Sequence, residues 1–580
     1  MVTLQHMVLP QVNSFKKDYL YFKVEAGNCV LHREMGHLKL FEGCSLSLDS
    51  FYNALSVNKW KKCDIQNLFL SVEGEGEVQI SCVLQKKSLP DQVVIEKKIQ
   101  LKNKQRSTLK LPDWESISQG RLYVIICALS NAVIRKVDYE TDTTPKCIKL
   151  GIVITHFNRK NYVVPAIKRV NQFLRNDLEY KNISLIVVDN SQNLTKDETQ
   201  GAILLSNRNL GGSGGFTRGL IWLKDNGYTH CLFMDDDASC EIESIRRTYV
   251  FFSLLKETGK KIAISGALIV ENQPQRVHEK PGQFTPFSCA PVNGGMSLES
   301  RDSLLSIESE PIKKDLYGAW CFFAFKIEDI SYMAFPFFVR GDDITFSLVN
   351  KLDIQTINGI ACYIDDFAVK ESPLTRYFGF RGLVATSFIS GKLKLANFLK
   401  LYLNWYLGSL FSYNYISAKA ISISLRDVLQ GCEVFINDMD GTMARKKIKD
   451  LGDAERLTSI QEDCIYSNIQ QESRIRRIFR TITLNGLFVP SFLMKNKIIY
   501  QDKGFRVVFR QVFRYKKICY VDNVSNTGYI VEHDKKQIVN GFFTCLYDIC
   551  LILILYNKAK EKFKSAEIYM SKEFWLSQFQ

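Results

Sequence analysis

The chain has 580 residues, of which 46% are hydrophobic and 24% are charged. This composition excludes a disordered chain and suits about two to four folded domains. The net charge of +15 favours an anionic partner such as a nucleic acid, an anionic membrane or a phosphorylated small molecule. The positive charges are scattered, however, so a basic soluble protein without such a partner explains them equally well.

The cysteines and the first residues indicate a compartment. The 16 cysteines show neither a CxxC pair nor a zinc-ligand spacing, and the chain does not open with the charged and then apolar stretch of a signal peptide. We therefore expect reduced, mostly buried cysteines in a cytoplasmic protein.

The first part of the chain contains short, alternating apolar segments. Residues 68–72 and 78–84 alternate between apolar and polar, Gly74 and Gly76 lie between them, and residues 122–129 form a further apolar segment. This pattern predicts strands joined by turns, in an antiparallel β-sandwich or barrel.

After a polar stretch at residues 138–146, apolar strands alternate with helical periodicity. The predicted strands cover residues 150–155, 183–188 and 230–234, and the predicted helices cover residues 163–175 and 216–226. Such alternation predicts a mainly parallel sheet covered by helices. From about residue 375 onward, stretches such as 393–428 and 450–481 predict helices.

The sequence therefore predicts a multi-domain α/β protein. The predicted domains are an N-terminal β-sandwich or barrel (1–146), a central catalytic domain (147–375) and a mainly helical C-terminal domain (376–580). The longest apolar run, residues 538–556, is interrupted by Asn540, Thr544 and Asp548. These polar residues favour a buried or interfacial helix over a membrane span.

The strongest chemical signal is an apolar strand that ends in Asp235, Asp236 and Asp237. Side chains alternate along a strand, so the first and third carboxylates point the same way and suit Mg²⁺ or Mn²⁺. The alternative is that the three acids precede a helix that begins at Ser239 or Glu241.

Three further segments come at predicted strand ends. Asp189 follows the second strand and suits either a nucleoside hydrogen bond or a turn. The glycine-rich residues 207–216 could bring backbone amides to a diphosphate, although they match neither the P-loop nor the dinucleotide fingerprint. In residues 155–159, Phe157 suits stacking on a base and Arg159 suits a phosphate, whereas His156 and Asn158 suit an ordinary surface loop.

Two motifs later in the central domain suit catalysis and sugar binding. Asp342 and Asp343 follow an aromatic stretch, where one acid could remove a proton from a sugar hydroxyl while the other orients it. An Asp-Asp pair also begins many helices. Tyr317 and Trp320 suit an aromatic platform for a sugar ring, with core packing as the alternative.

Together these motifs resemble those of bacterial galactofuranosyltransferases that extend galactan, which belong to the inverting GT-A class called family 2. The ordered series runs along almost the whole chain. It comprises Phe51-Tyr52-Asn53-Ala54 with Lys59-Trp60, Thr155–Arg159, Val188-Asp189-Asn190, Asn209–Phe216, Met234–Asp237, Tyr317-Gly318-Ala319-Trp320, Gly341-Asp342-Asp343 and Ser571-Lys572-Glu573-Phe574-Trp575.

The resemblance implies a donor, a metal and residue roles. The donor would be UDP-galactofuranose, the metal Mn²⁺ or Mg²⁺, and Asp343 the base beside Asp342. Trp320 and Tyr317 would line the acceptor site. The UDP-contacting set would be Phe157, Arg159, Asp189, Asn209, Gly212 and Asp236, and the metal set Asp235, Asp237 and Asp365.

The chain departs from the family at three positions. Ile364 replaces the histidine that usually completes the metal site, so Asp365 or the next aspartate is expected to supply an oxygen ligand instead, unless the site is weakened or inactive. Gly341 replaces a tryptophan before the two aspartates, and Cys321 replaces a second acceptor-site tryptophan. Acceptor recognition is therefore expected to differ from that of galactan polymerases.

The resulting hypothesis is an inverting glycosyltransferase that extends a bacterial surface polysaccharide such as an O-antigen, capsule or galactan. Its partners would be a UDP-sugar donor, a lipid-linked or oligosaccharide acceptor, an anionic membrane surface on the cytoplasmic side and a second copy of the chain, but no nucleic acid. The alternatives are a GT-A transferase with another nucleotide sugar and a non-catalytic glycan-binding relative.

Overall fold

The protein is described from a computed structural model. It describes residues 1–11, 17–176, 180–308, 313–459, 472–504, 512–522 and 525–579. The fold is mixed α/β and contains several separate sheets.

Within its described residues, the first part of the chain forms an antiparallel network of eleven strands. These elements are β1 (Val2–His6), β2 (Lys23–Ala26), β3 (Cys29–His32), β4 (His37–Leu40), β5 (Ser45–Ser47), β6 (Leu55–Ser56), the short helix α1 (Val57–Trp60), β7 (Leu68–Gln85), β8 (Gln92–Leu101), β9 (Arg106–Lys110), β10 (Arg121–Ala128) and β11 (Ala132–Thr141). The path runs β2-β5-β10-β7-β11-β4-β3. The structure thus has the predicted antiparallel strands, and their arrangement as a sandwich stays a prediction.

The predicted turn at Gly74 and Gly76 is wrong, because both glycines lie inside the 18-residue strand β7. The first half of β7 pairs with β11 and the second half with β8 and β10. A Cβ atom at Gly74 would lie 2.2 Å from the carbonyl oxygen of Val133, and one at Gly76 would lie 2.6 Å from that of Asn131. The glycines therefore permit a close approach of two strands where β7 passes from one set of partners to the other.

The central part of the chain alternates strands and helices. Its elements are β12 (Leu150–His156), α2 (Lys160–Asn176), β13 (Ile183–Asp189), β14 (Ile203–Ser206), α3 (Gly211–Asp225), β15 (His230–Asp235), β16 (Ser239–Cys240), α4 (Ile242–Leu254), β17 (Ile262–Ser265), β18 (Ala267–Val270), β19 (Val277–Glu279), β20 (Gly282–Thr285), β21 (Ser288–Pro291), α5 (Arg301–Glu308), β22 (Leu316–Tyr317), β23 (Phe322–Lys326), α6 (Asp342–Val349), β24 (Asp353–Gln355) and β25 (Ala361–Ile364).

The main central sheet has seven strands in the order β14-β13-β12-β15-β23-β17-β24. The strands β14, β13, β12 and β15 are parallel, and β23 runs antiparallel to its neighbours β15 and β17. Consequently β12, β13 and β15 end at the same edge, which is where ligands bind in open α/β sheets.

Helix α3 begins five residues before its predicted start, because its glycines are helical. A Cβ at Gly215 would lie 2.2 Å from a methyl carbon of Thr155, and one at Gly219 would lie 2.3 Å from a methyl carbon of Val153. Because Gly215 and Gly219 have no side chains, α3 packs directly on β12. Tertiary packing here outweighs the low helix propensity of glycine.

The C-terminal part of the chain contains helices and one further sheet. Its elements are α7 (Pro373–Ile389), α8 (Leu395–Leu410), α9 (Tyr415–Val428), α10 (Glu433–Ile436), α11 (Thr442–Lys449), β26 (Thr458–Ser459), α12 (Arg474–Ile482), β27 (Lys495–Asp502), β28 (Tyr515–Asp522), β29 (Thr527–Glu532), α13 (Lys535–Lys562) and α14 (Lys572–Gln578). Short 3-10 helices cover Asp18–Leu20, Trp114–Ser116, Ile327–Asp329, Ser491–Leu493 and Phe563–Met570.

Several C-terminal predictions need correction. The four-stranded sheet β26-β29-β28-β27 was not expected from the sequence. The predicted helix 393–428 is two helices, α8 and α9, and of the predicted helix 450–481 only α12 is helical, with residues 460–471 outside the described part. Residue 375, where a domain boundary was predicted, lies inside α7, and the division into domains stays a prediction.

Helix α13 carries the longest apolar run, and one of its faces packs on α8 and α9. Asp548 is fully buried there, where it accepts hydrogen bonds from Tyr402 Oη (2.6 Å), Ser422 Oγ (2.5 Å) and Arg426 Nε (2.9 Å). Within the described residues, the continuous helical stretch Lys535–Met570 meets the length and composition of a membrane-crossing helix. The ion pair with Arg426 nevertheless anchors α13 to the protein.

Candidate active site

The parallel strands β12, β13 and β15 end in polar residues at one edge of the central sheet. His156 pairs in register with Asp189, and Thr155 with Asp235. His156 is fully buried, with its Nε2 3.1 Å from Asn193 Oδ1 and its Nδ1 3.5 Å from Asp236 Oδ2. Burial alone would lower the pKa of His156, but its contacts with Asp236 and Asn193 outweigh that effect and raise it. The surface-loop interpretation of His156 is therefore wrong.

Asp189 is buried and organises the loop that follows β13. Its Oδ1 accepts hydrogen bonds from the backbone N–H and Oγ of Ser191 (both 2.9 Å) and from the N–H of Gln192 (2.8 Å). Its Oδ2 accepts from the N–H groups of Asn193 and Leu194, both at 2.8 Å. Burial works to raise the pKa of Asp189, but these hydrogen bonds hold it below its ordinary value. Because five donors already occupy its two oxygens, the carboxylate has no free lone pair to accept a hydrogen bond from a nucleoside.

The three aspartates after β15 form a compact acidic group. One carboxylate oxygen from each of Asp235, Asp236 and Asp237 lies within 4.8 Å of the others. They do not start α4, which begins at Ile242 after the short strand β16. Burial and then the charges of Asp237 and Asp236 raise the pKa of Asp235 to about 7. Burial and the two neighbouring charges therefore both disfavour the ionised form of Asp235.

Two basic side chains compensate part of that charge. Arg159 Nη1 lies 2.9 Å from Asp236 Oδ1 and 2.7 Å from Asp237 Oδ2. Lys370 Nζ lies 2.7 Å from the same Asp237 oxygen and 4.0 Å from Asp365 Oδ2. Asp365 is exposed and does not join the acidic group. Its role as a ligand in place of a histidine at Ile364 therefore stays a prediction, and Asp236 is the third acid of this group.

The remaining predicted donor-binding residues lie around the start of α3. Phe157 is 46% exposed, and its backbone N–H donates to Asp236 Oδ2 at 3.2 Å. Asn209 Oδ1 accepts from the N–H of Gly211 at 3.1 Å, immediately before the first turn of α3. At Gly212, a Cβ would lie 3.2 Å from Asp342 Oδ2. The first turn of α3 therefore lies directly against Asp342, the first of the two adjacent aspartates at residues 342 and 343.

Asp342 and Asp343 occupy the first turn of α6, after Gly341 with a φ of +104°. Asp342 is buried and accepts a hydrogen bond from Ser213 Oγ at 3.1 Å. Asp343 is half-buried, and its Oδ1 accepts from the N–H of Ile344 at 2.8 Å. Desolvation raises the pKa of both carboxyls, and for Asp343 the charges of Asp342 and Glu279 raise it further. The helix-start interpretation and the proton-acceptor interpretation are thus compatible.

The two predicted acceptor residues differ in their surroundings. Tyr317 is buried, and its Oη donates to Glu279 Oε2 at 3.1 Å. Trp320 is only 6% exposed, and its ring contacts Phe216, Phe233 and Phe346 at centroid distances of 5.1 to 5.6 Å. The prediction of Trp320 as an open sugar platform needs correction, because an aromatic cluster covers the ring.

Cys321 is close enough to both acidic groups to be influenced by their charges. It is buried, and its neighbour Phe322 pairs in register with Met234, next to Asp235. Burial and then the negative charges of Cys362, Asp235, Asp237 and Asp343 raise the pKa of the Cys321 thiol well above its ordinary value. One thiol is thus influenced by carboxylates of both groups. The tip of β15 and the start of α6 face the same region.

Sequence reasoning missed two charged residues of this region. Lys370 contacts Asp237, which is 133 positions away in the chain. Glu279 ends β19, is largely buried and influences Asp343 and Tyr317. Burial raises the pKa of Glu279 to about 7, against the hydrogen bond from Tyr317. Neither residue belongs to a local motif, so only the fold reveals them.

The acidic group fits a divalent cation. Three clustered carboxylates are the oxygen ligands that Mg²⁺ and Mn²⁺ prefer, and the raised pKa of Asp235 shows that added positive charge would stabilise the group. Asp235 and Asp237, whose role as ligands stays a prediction, could hold the ion together with Asp236, which the sequence resemblance assigned to the donor instead. Lys370 and Arg159 would compete with it for Asp237.

No protein-family model and no curated protein matches the chain. Among solved structures, it is similar to a mannosyltransferase from Pyrobaculum calidifontis in complex with GDP-Man and Mn²⁺, with 12% identity, coverage of 53% of this chain and 85% of that chain, and a TM-score of 0.27. It is also similar to mannosyl-3-phosphoglycerate synthase from Rubrobacter xylanophilus (12% identity, 43% and 76% coverage, TM-score 0.28). A family 29 carbohydrate-binding module from Piromyces equi resembles a smaller part (11% identity, 23% and 89% coverage, TM-score 0.15).

Proposed function

We propose that the protein is an inverting glycosyltransferase of the GT-A type that transfers galactofuranose from UDP-galactofuranose to a growing bacterial surface polysaccharide. The supporting observation is that α3 lies between two acidic groups, because its first turn contacts Asp342 and its Gly215 packs on Thr155, the register partner of Asp235. One group suits a metal-bound diphosphate and the other suits a proton acceptor. The sugar donor is inferred from the motif series, since the contacts around these groups do not distinguish one sugar ring from another.

The donor would bind along the edge formed by β12, β15 and the first turn of α3. The exposed ring of Phe157 suits stacking on the base. The backbone N–H groups at the start of α3, near Asn209 and Gly212, suit the diphosphate because they carry the positive end of the helix dipole. Arg159 is available as a second cation beside the phosphates. Asp189 would act indirectly, by holding the loop at residues 190–194 in place.

A divalent ion held by the carboxylates of Asp235, Asp236 and Asp237 would supply Lewis-acid stabilisation of the departing diphosphate. The chain's own contribution is to collect three carboxylates and to limit their repulsion with Arg159 and Lys370. The ammonium group of Lys370 is a mobile charge on a flexible stem. It can therefore leave Asp237 when another cation arrives.

Asp343 is the proposed base. The acceptor hydroxyl oxygen forms a bond to the anomeric carbon, the bond from that carbon to the diphosphate oxygen breaks, and the electron pair leaves with UDP. The hydroxyl proton moves to Asp343, whose raised pKa makes it a better acceptor than an ordinary carboxylate. The hydrogen bond from Ser213 and the start of α3 hold the adjacent Asp342.

The acceptor would approach past Lys370 and Asp365. A cleft of about 840 Å³ is lined by these residues together with Glu271, Gln275 and Tyr363. This volume lies within the usual range of ligand sites, roughly 300–1,000 Å³. Tyr317 remains a candidate acceptor contact through its hydroxyl group, whereas aromatic neighbours cover the ring of Trp320.

The test is transfer from a panel of UDP- and dTDP-sugars to an oligosaccharide acceptor, with Mn²⁺, with Mg²⁺ and with chelator. We expect UDP-galactofuranose to be consumed with inversion, and only when metal is present. Turnover of another nucleotide sugar would change the donor assignment and keep the mechanism. Full activity in chelator would exclude the metal and leave Arg159 and Lys370 as the charges that stabilise the diphosphate.

A non-catalytic glycan-binding protein is the second candidate. The observation that favours it is Ile364, a buried residue without ligand atoms at the position of a family metal ligand, combined with the contact between Lys370 and Asp237. Oligosaccharide binding without release of UDP from any donor in the panel would support this candidate over the enzyme.

A further inference from the structure

Helix α12 lies on the surface of the C-terminal part of the chain and exposes its apolar side. Ile475, Ile478, Phe479 and Ile482 are 77%, 57%, 61% and 70% exposed, and α12 has no buried residue. Their spacing places all four on one side of the helix. We call these four residues the α12 apolar face. Large apolar side chains on a protein surface are usually isolated from one another. An exposed cluster of four therefore indicates a surface that binds a partner.

The rest of α12 is strongly basic. Four of its nine residues are arginines, at positions 474, 476, 477 and 480. At a helical rotation of about 100° per residue, Arg474 and Arg476 flank the α12 apolar face and the other two lie opposite it. Arg480 forms an ion pair with Glu472, with Nε 2.7 Å from Oε1. The helix is therefore amphipathic, with a basic border around an apolar strip.

The exposed apolar surface continues beyond the helix. Phe488 and Phe492 are 66% and 82% exposed, while Val489 between them is buried. Asn485 is buried and donates from Nδ2 to the carbonyl oxygen of Phe411 at 2.7 Å. The segment after α12 is thus fixed to the protein and directs two phenylalanine side chains outward.

Helix α13 adds a second exposed apolar face close to this segment. Its outward side chains recur at helical spacing and are Phe543, Leu546, Tyr547, Leu553 and Ile554. The ring of Phe411, whose carbonyl accepts from Asn485, contacts the ring of Phe542 at 5.8 Å. The residues after α12 and the first turns of α13 therefore meet at Phe411.

We propose that the α12 apolar face, together with Phe488, Phe492 and the outer side of α13, docks on the surface of an anionic lipid bilayer. A short helix with an apolar strip and an arginine-rich polar face is typical of segments that lie in the interface plane of a membrane. Anionic headgroups attract such arginines, and the net charge of +15 adds to that attraction.

Charge complementarity favours lipid over a second copy of the chain. A symmetric contact between two α12 faces would bring the arginines of both copies together, which opposes association. Nucleic acid would satisfy the arginines and leave the isoleucines and phenylalanines in water. An anionic bilayer satisfies both sets of side chains.

Docking through these residues does not depend on the proposed sugar transfer. Helix α13 would lie on the bilayer without crossing it, because its buried Asp548 and the ion pair with Arg426 hold its inner side against the protein. If the transferase proposal also holds, the same surface would keep the enzyme beside lipid-linked acceptors.

The experiment is co-sedimentation of the full chain with vesicles of phosphatidylcholine alone and of phosphatidylcholine with phosphatidylglycerol. The apolar variant is Ile475→Gln/Phe479→Gln/Ile482→Gln, since glutamine retains helix propensity. The charge variant is Arg474→Gln/Arg477→Gln. The matched control is Leu89→Gln, at a leucine that is 60% exposed in the N-terminal part of the chain. Circular dichroism and thermal unfolding check that all variants fold.

We expect the wild type and the control to bind the anionic vesicles, with weaker binding at high salt. The apolar variant should lose at least about tenfold in partitioning, and the charge variant should lose its preference for anionic vesicles. Equal binding of the apolar variant, or no binding of the folded wild type, would overturn the proposal. A wild-type dimer that the apolar substitutions convert to a monomer, without vesicle binding, would assign the surface to a second copy instead.

Discussion

The acidic group at the end of β15 and the acidic pair at the start of α6 are chemically different. Asp236 and Asp237 contact cations, with Arg159 and Lys370 at 2.7 to 2.9 Å. Among the charged neighbours of Asp343, the carboxyl groups of Asp342 and Glu279 have the largest effect on its pKa, and both raise it. Clustered carboxylates that already attract cations are suited to bind one. A carboxylate placed among other acids is suited to accept a proton.

The difference shows how one site can hold two kinds of acid. Burial raises the pKa of Asp235, Asp342 and Asp343, and the charges of neighbouring side chains modify that effect. At the β15 end, Arg159 and Lys370 lie directly against the carboxylates of Asp236 and Asp237. At the α6 start, like charges favour the protonated form and strengthen the base.

Of the three substitutions that test this difference between the two acidic groups, the one at Asp343 should change the measured quantity most. Asp343→Asn removes the proton acceptor, so we expect turnover to fall by on the order of 10²- to 10⁴-fold while UDP binding remains. Transfer rates and UDP titration calorimetry measure the two quantities separately. The control is Asp225→Asn, since Asp225 lies at the opposite end of α3 and forms an ion pair with Lys572. Near-normal turnover of the Asp343 variant would remove this residue from the role of base.

Substitution of Lys370 tests the acidic group at the end of β15, and its effect on Mn²⁺ affinity should be intermediate in size. Lys370→Met removes a competing charge from Asp237, so we expect Mn²⁺ to bind on the order of tenfold more tightly, because a contact between charges near a protein surface is worth roughly a few kcal/mol before solvation costs. Electron paramagnetic resonance of free Mn²⁺ measures the affinity without any turnover. Lys160→Met, which breaks an ion pair with Glu198 instead, should leave the affinity unchanged. Weaker Mn²⁺ binding by the Lys370 variant would contradict competition at Asp237.

Substitution of Glu279 tests the proton side and should have the smallest effect. Glu279→Gln keeps a hydrogen-bond acceptor for Tyr317 and removes a charge that raises the pKa of Asp343. The pKa of Asp343 should fall, so the rising limb of the pH–rate profile should move to lower pH. The shift should appear near and above pH 7, where Glu279 is ionised. Glu257→Gln, at an exposed ion pair with Lys146, is the control. An unchanged limb would mean that Glu279 does not influence the base.

Much of the central sheet was predictable, because buried parallel strands leave a clear apolar signal. The strands predicted at 150–155, 183–188 and 230–234 appear as β12, β13 and β15 with an additional polar residue at each end point. The acids at the tip of β15 lie close together, but the group also includes Asp236, which the sequence pattern assigned to the donor. Their role as metal ligands stays a prediction. Glycine was less predictable, since Gly74 and Gly76 resemble a turn in the sequence yet lie within β7 where another strand passes close by.

The site residues also include some features that the sequence predicts and others that it does not. Asp189, Trp320 and Asp365 belong to recognisable motifs, but a residue's type does not state whether its polar atoms are already bonded or its ring is already covered. Five donors from neighbouring residues occupy Asp189, an aromatic cluster encloses Trp320, and Asp365 remains exposed. Lys370 and Glu279 belong to no motif and acquire their significance only from their neighbours.

The sequence by itself determined three strands of the central sheet, the helices that follow two of them and the position of the acids at the end of β15. These properties are local, since they follow from periodicity and from the residues that adjoin each element. Only the tertiary structure decided which charges face each acid and which apolar face remains uncovered. Such properties depend on contacts between residues far apart in the chain, and sequence spacing carries no information about those distances.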